Sequence, residues 1–264
     1  MMKFEIKWVE TSKFSMKYIK FGTGAKTMAI IPGLSLKSVT ESAGAVCNGF
    51  EQFHEDYTVY VFDRREKIYD GYTVKDMADD TAEAMKLLGL KDMYVFGASQ
   101  GGMITQCLAV YYPELVKKAV IGSSSAKNNL ISADIIKKWV DAAEKQDKVT
   151  LNRLMFSYIY SDEFLKMYEK ALPMLEQQGT ADELKKLSLM ARACDNFDMT
   201  EELKKVKCPV LAIGSDKDKI FGGDASREIA KLTKGECYIY EGYSHAVYDE
   251  APDYRGRIKA FFEQ

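Results

Sequence analysis

The sequence predicts an α/β protein, an eight-stranded, mostly parallel sheet flanked by helices, with a helical segment inserted after the sixth strand. Three observations carry that expectation. Short apolar runs of strand length alternate with helical stretches, the pattern of a parallel sheet covered on both faces. One long stretch, residues 124–206, shows helical patterning and no convincing strand. A chain of 264 residues with 47% apolar composition can also bury a large core.

The elements follow in order. Phe4 to Trp8 and Ser15 to Phe21 alternate in polarity and end at Gly22-Thr23-Gly24, so they read as an opening antiparallel pair. Thr27 to Ile31, Thr58 to Phe62, Met93 to Phe96, Ala119 to Gly122, Val210 to Ile213 and Cys237 to Tyr240 supply the other strands. Helices are expected at about 37–54, 74–88, 102–112, 223–232 and 252–263. In the second of these, Val74, Met77, Ala78, Ala82, Met85 and Leu88 fall at helical spacing, with Gly89 as a stop.

Within 124–206, Ile135, Ile136, Trp139, Val140 and Ala143 cover one helix face, and Leu151, Leu154, Met155, Tyr158 and Ile159 another. Thr180-Ala181-Asp182-Glu183 has capping-box spacing and starts a further helix carrying Leu184, Leu187 and Ala191. The composition stays globular with no Gly/Ser-rich linker. The expectation is therefore a core formed by 1–123 and 207–264, with 124–206 packed on it as a lid subdomain.

The formal net charge of −2 gives no bias toward nucleic acid or anionic membrane. Met1 to Lys7 interleaves charges with apolar residues, so no signal peptide is expected, and no apolar run approaches membrane-spanning length. The five cysteines, Cys47, Cys107, Cys194, Cys208 and Cys237, are scattered and never form a C-x-x-C pair. They read as reduced thiols of a cytoplasmic protein, with no metal and no cofactor expected.

Gly97-Ala98-Ser99-Gln100-Gly101 lies directly after an apolar strand and before a helix, the context a nucleophile elbow requires. A serine hydroxyl is a poor nucleophile. It must be projected from a tight turn where a base reaches its proton and amides hold an oxyanion. The base is sought between only two histidines. His54 sits in the charged segment Gln52-Phe53-His54-Glu55-Asp56 and reads as solvated surface. His245 follows the last strand, at the end of the sheet where open parallel sheets place their ligands. An acid to orient it should end a neighbouring strand, and Ser215-Asp216-Lys217-Asp218 offers two candidates.

With these motifs in place the chain resembles the α/β-hydrolase superfamily over nearly its whole length. The resemblance rests on the elbow, on Cys208-Pro209-Val210-Leu211-Ala212-Ile213 leading into the acid-bearing strand, on Glu250 and Pro252 after His245, and on Asp63-Arg64-Arg65 after the fourth strand. It implies Asp218 rather than Asp216 as the acid, since Asp218 precedes the apolar pair Ile220-Phe221. It also implies an oxyanion hole made by the backbone N–H groups of Leu34 and Gln100. Family members commonly carry His-Gly after the third strand, whereas this chain has Pro32-Gly33. Glu66 also stands where a glycine often follows Asp-x-Arg, and the side chains of Asp63-Arg64-Arg65 are expected to be structural.

The function these residues imply is a serine hydrolase of a carboxylic ester or related small acyl compound, working through an acyl-enzyme with Ser99, His245 and Asp218. The alternatives are another activity of the same triad, such as thioesterase, amidase, carbon-carbon hydrolase or lyase, or a ligand receptor that keeps the fold with little turnover.

Overall fold

The computed structural model describes residues 2–264. Eight strands form one sheet: β1 (Phe4–Glu10), β2 (Ser15–Phe21), β3 (Lys26–Ile31), β4 (Tyr57–Arg65), β5 (Met93–Ala98), β6 (Val116–Gly122), β7 (Val210–Ser215) and β8 (Glu236–Tyr240). Their spatial order is β1-β2-β4-β3-β5-β6-β7-β8. β1 and β2 pair antiparallel, as do β2 and β4, and every later pairing is parallel. Tertiary pairing lengthens β4 and β6 the most beyond their apolar runs: β4 extends to Arg65, opposite Met16, and β6 begins at Val116, opposite Met93.

Alternation along the central strands explains their continuous apolar character, because both faces are covered. Tyr60 and Phe62 of β4 face a cluster with Met77 and Ala78 of α2 (Val74–Leu87), Met103 and Ile104 of α3 (Gln100–Tyr111) and Ile229 of α9 (Ala225–Thr233). Val59 and Val61 face the other side, packing with Cys47 of α1 (Ala43–Gly49), Val247 of α10 (Val247–Glu250) and Tyr254, Ile258 and Phe262 of α11 (Tyr254–Glu263). The α2 N-terminus is closed by a capping box between Thr73 and Asp76, a device worth about 1 kcal/mol.

The helix expected over 37–54 is a correction. It is broken into 3-10 turns at Val39–Ser42 and Glu51–Phe53 around the short α1. Two glycines, Gly44 and Gly49, lower its helix propensity. The Ser38 hydroxyl also accepts from Thr40 N, and Phe50 and Phe53 turn into the core.

Between β6 and β7 run five helices: α4 (Leu130–Glu144), α5 (Lys148–Ile159), α6 (Asp162–Met167), α7 (Leu172–Leu175) and α8 (Ala181–Arg192). The capping box at Thr180 and Glu183 is present, and Asn129 with Ser132 forms a second at the start of α4. Ile135, Trp139, Leu184 and Leu187 are buried in the same cluster as α3 and one sheet face, so the insertion shares the core rather than forming its own. Leu151 and Met155 are buried as well, while Leu154, Tyr158 and Ile159 are half-buried. An isolated bridge from Lys127 to Asp198 joins the two ends of the insertion.

Candidate active site

The elbow is built from close approach. A side chain at Gly97 would collide with the Gly101 carbonyl and Thr105 Oγ1, and one at Gly101 would collide with the Ile31 carbonyl. Only glycine at both positions lets α3 start directly against β3 and β5. Ser99 is then left at φ 54° and ψ −120°, a strained conformation for a residue with a β-carbon. Such strain costs about 1–3 kcal/mol and persists only where the surroundings impose it. Here they do. Ser99 N donates to Gly122 O at 2.8 Å, and Ser124 Oγ donates to Ser99 O at 2.9 Å.

That first bond starts a series across the ends of the parallel strands. Ser123 N donates to Ile213 O at 2.7 Å and Asp216 N to Tyr240 O at 3.0 Å. The turns after β5, β6, β7 and β8 therefore lie side by side at one edge of the sheet. Ser99, Asp218 and His245 all stand on these turns.

Asp218 and His245 are brought into contact. His245 Nδ1 and Asp218 Oδ2 are 2.9 Å apart, and both side chains are almost fully buried. The other oxygen, Oδ1, accepts from Ile220 N at 2.8 Å and Phe221 N at 3.0 Å. Burial pushes the Asp218 carboxyl up, but the His245 charge and hydrogen bond, with the two amides, outweigh it and hold the group below the usual carboxylate range. Asp216 has a different partner. It is exposed, and its Oδ1 accepts from Gly242 N at 2.7 Å, which ties the β8 turn to the β7 turn.

The imidazole is fixed from several sides. The Phe221 ring lies 5.5 Å away at a steep angle and the Tyr248 ring 6.3 Å away. The flanking backbone is held by Ser215 Oγ, which donates to Ser244 O at 2.7 Å, and by Ala246 N, which donates to Ile159 O of α5 at 2.8 Å. Glu250 accepts from both Ser161 N and Ser161 Oγ, a second tie between this loop and the insertion. With Nδ1 engaged by Asp218, Nε2 is the nitrogen left to take a proton. No hydrogen bond joins the Ser99 hydroxyl to His245 among the described residues. His54 is apart from all of this, with its Nδ1 near Glu51 O and no part in the cluster.

Leu34 follows β3 and Gln100 opens α3, and neither amide is among the donors of the loop and cap backbone hydrogen bonds of the described residues. The β3 loop runs close to the serine: a β-carbon at Gly33 would sit 3.2 Å from Ser99 Cβ and 3.8 Å from its Oγ. Two recesses share Pro32 and Gly33 in their walls. One, of about 130 Å³, is largely apolar, with Val39, Val46, Phe50 and Tyr248. The other, of about 650 Å³, opens between the β3 and β4 loops and α8 and is rich in charge. Ser99 itself lines neither, and Gly33, which borders both, lies beside it. Among the described residues no group of three or more His, Cys, Asp or Glu is placed to hold a metal ion.

A sequence model of the alpha/beta hydrolase fold matches residues 41–155. The RutD protein of Serratia proteamaculans, assigned as a carbamate hydrolase, is 26% identical over 210 residues, covering 74% of this chain and 77% of its own. The bifunctional esterase/perhydrolase DCH of Acinetobacter calcoaceticus is 26% identical over 213 residues, 73% of this chain and 76% of its own. Among solved structures, MGS-M2, an alpha/beta hydrolase enzyme from a Medee basin deep-sea metagenome library, superposes with a TM-score of 0.87 at 21% identity over 98% of both chains. The enol-lactonase of Burkholderia xenovorans LB400 superposes with a TM-score of 0.84 at 16% identity, covering 98% of this chain and all of that one. The chain has the α/β-hydrolase fold. It is a hydrolase of that fold.

Several residues of this α/β-hydrolase escaped the sequence. The Gln100 side chain donates from Nε2 to Met190 O at 2.7 Å and faces Cys194 Sγ at 3.3 Å, pinning α8 above the elbow. Tyr248 and Phe221 are visible only once the loops are placed. Asp63-Arg64-Arg65 does make structural bonds. Asp63 accepts from Ser38 Oγ and from Arg64 N, Arg64 Nη2 donates to Pro32 O at 2.7 Å, and Arg65 Nη2 donates to Lys13 O at 2.6 Å. The Arg64 bond holds the segment where histidine is usual in the family, so the loop after β3 is braced from the β4 side.

Proposed function

We propose that this protein is a serine hydrolase of a small acyl compound, an ester or a close relative such as a carbamate, acting through an acyl-enzyme. The observation that carries the reading is the buried Asp218–His245 pair at 2.9 Å, on the same edge of the sheet as a serine held at positive φ by two obligatory glycines. A buried carboxylate that engages Nδ1 fixes the imidazole tautomer and stabilises the imidazolium formed when Nε2 takes a proton.

In this reaction Ser99 Oγ bonds to the substrate carbonyl carbon while its proton passes to His245. The oxyanion accepts from the Leu34 and Gln100 amides. His245 then gives the proton to the leaving oxygen or nitrogen as its bond to carbon breaks. Water attacks the acyl-enzyme, losing a proton to His245, and that proton returns to Ser99 as the acid departs. The insertion of α4 to α8 acts as the lid of this site, tied to the histidine loop through Ile159 and Ser161 and to the elbow through Gln100. Five free thiols support a cytoplasmic setting, and no helix among the described residues is long and apolar enough to cross a membrane. The relatives named as a carbamate hydrolase and as an esterase/perhydrolase support a carbonyl substrate.

A panel of short ethyl, thio and carbamate esters, followed by proton release with wild-type protein and Ser99→Ala, tests the reading. Turnover of at least one member, lost in Ser99→Ala by on the order of 10⁴-fold or more, is the expected result. Equal turnover by the two proteins would remove Ser99 from the chemistry.

A further inference from the structure

One helix of the insertion touches both segments that would hold the oxyanion. α8 begins beside the loop after β3, where a β-carbon added at Gly179 would sit 2.9 Å from Leu36 Cδ2 and 2.8 Å from Leu184 Cδ1. Lys37 Nζ of the same loop lies 3.7 Å from Glu183 Oε1. α8 ends over the elbow, where Gln100 Nε2 donates to Met190 O at 2.7 Å. Leu34 lies two residues before Leu36, and Gln100 directly follows Ser99. One helix of twelve residues therefore spans the two segments that carry the amides.

The bond at its end answers a need of the helix. Met190 O belongs to the last turn of α8, where carbonyls lack intrahelical donors. The N–H four residues on, that of Cys194, donates instead to Ala191 O at 3.1 Å, and Ala193 N donates to Leu189 O at 3.2 Å. Gln100 supplies the donor that this carbonyl lacks. Its amide fits only one way round, since the reverse would set carbonyl against carbonyl. Cys194 Sγ lies 3.3 Å from the same nitrogen, and burial pushes that thiol up to about 11, so it stays neutral beside the amide. The backbone N–H of Gln100 is left differently. It opens α3 and so has no intrahelical acceptor, and the Ser99 side chain does not cap it.

We infer that α8 is a strut for the oxyanion hole and that Gln100 is a positioning residue, its side chain anchored on Met190 so that its own N–H keeps its aim while the other end of α8 seats the Leu34 loop. This deepens the hydrolase reading and rests on it. An oxyanion donor contributes only if it is already aimed when the charge develops. The insertion then acts on the rate of the chemical step as well as covering the site.

Gln100→Met keeps the length of the side chain and removes the donor. With short ethyl esters its kcat/KM should fall by about tenfold, less than the roughly 10²- to 10³-fold loss on deleting an oxyanion donor outright. A trifluoromethyl ketone with the same acyl chain reads the hole directly. Ser99 Oγ bonds to its carbonyl carbon, the serine proton passes to His245, and the ketone oxygen becomes the oxyanion. Its affinity should fall by the same factor as kcat/KM, whereas the matching methyl ketone, which binds without that addition, should bind as it does to wild type. Leu36→Ala, at the far end of α8, should repeat the pattern to a smaller extent and stands in if Gln100→Met does not fold. Equal weakening of both ketones would make α8 a cover alone and overturn the inference. An unchanged kcat/KM in the variants would overturn it too, with Ser99-dependent turnover of the wild type still standing. Wild-type protein that neither cleaves an ester nor binds the trifluoromethyl ketone removes the hydrolase reading, and this inference with it. A further measurement needs no variant. In nitrogen-15 spectra of the wild type the Gln100 side-chain amide protons should exchange slowly with solvent, and rapid exchange would show that the tie to Met190 is not made and overturn the inference.

Discussion

The two walls on either side of Ser99 differ in what they hold fixed. On the β7 and β8 side, both oxygens of Asp218 are taken, one by His245 and the other by two amides, and aromatic rings close on the imidazole. On the β3 and β4 side, Arg64 Nη2 holds the Pro32 carbonyl at 2.7 Å and so braces the loop beside Ser99. One wall fixes an ionisable pair and the other a length of backbone, so in the function proposed above the first would handle the proton and the second would hold the loop that meets the oxyanion.

Substitutions can break that division. His245→Ala and Asp218→Asn should each lower kcat by on the order of 10³- to 10⁴-fold, and by the same factor for charged and neutral esters. Asp216→Ala, two residues away, should change turnover by less than about threefold, because it only secures a loop amide. A drop in Asp218→Asn confined to one class of ester would mean that the β7 side selects substrate.

Acid titration sharpens the contrast at the level of stability. The Asp218 carboxyl is held below its ordinary range in the fold. The stability it adds is therefore complete above the unfolded value of about 4 and is lost as pH falls through the lower folded value. Urea midpoints of wild type and Asp218→Asn should differ most near neutral pH, and the gap should narrow toward pH 3 or so. A constant gap would show that ionisation of Asp218 contributes nothing to the fold.

Much of this was legible before any coordinates, for identifiable reasons. Strand cores are long apolar runs, and the elbow needs glycines at two fixed places, so β3, β5 and Ser99 announce themselves locally. The scarcity of histidine made His245 visible. The choice of Asp218 over Asp216 came only from resemblance, because two exposed-looking carboxylates in one turn are equivalent until the β8 loop is in place; the structure gives Asp218 the imidazole and Asp216 a glycine amide. The broken segment at 37–54 was read as one helix because its apolar spacing survives while its glycines and the Ser38 turn interrupt the backbone. Gln100, Tyr248 and the Arg64 bond to Pro32 were not legible at all. Each depends on a partner tens of residues away in sequence.

The most direct measurement of the central claim is covalent labelling of the folded protein with a fluorophosphonate, which reacts with an activated serine and ignores ordinary hydroxyls. Mass spectrometry of the digested wild-type protein should find the adduct on the peptide containing Ser99, with Ser99→Ala unlabelled and Asp218→Asn labelled far more slowly. Labelling of Ser99→Ala at the wild-type rate, or no labelling of the wild type, would contradict Ser99 as the nucleophile.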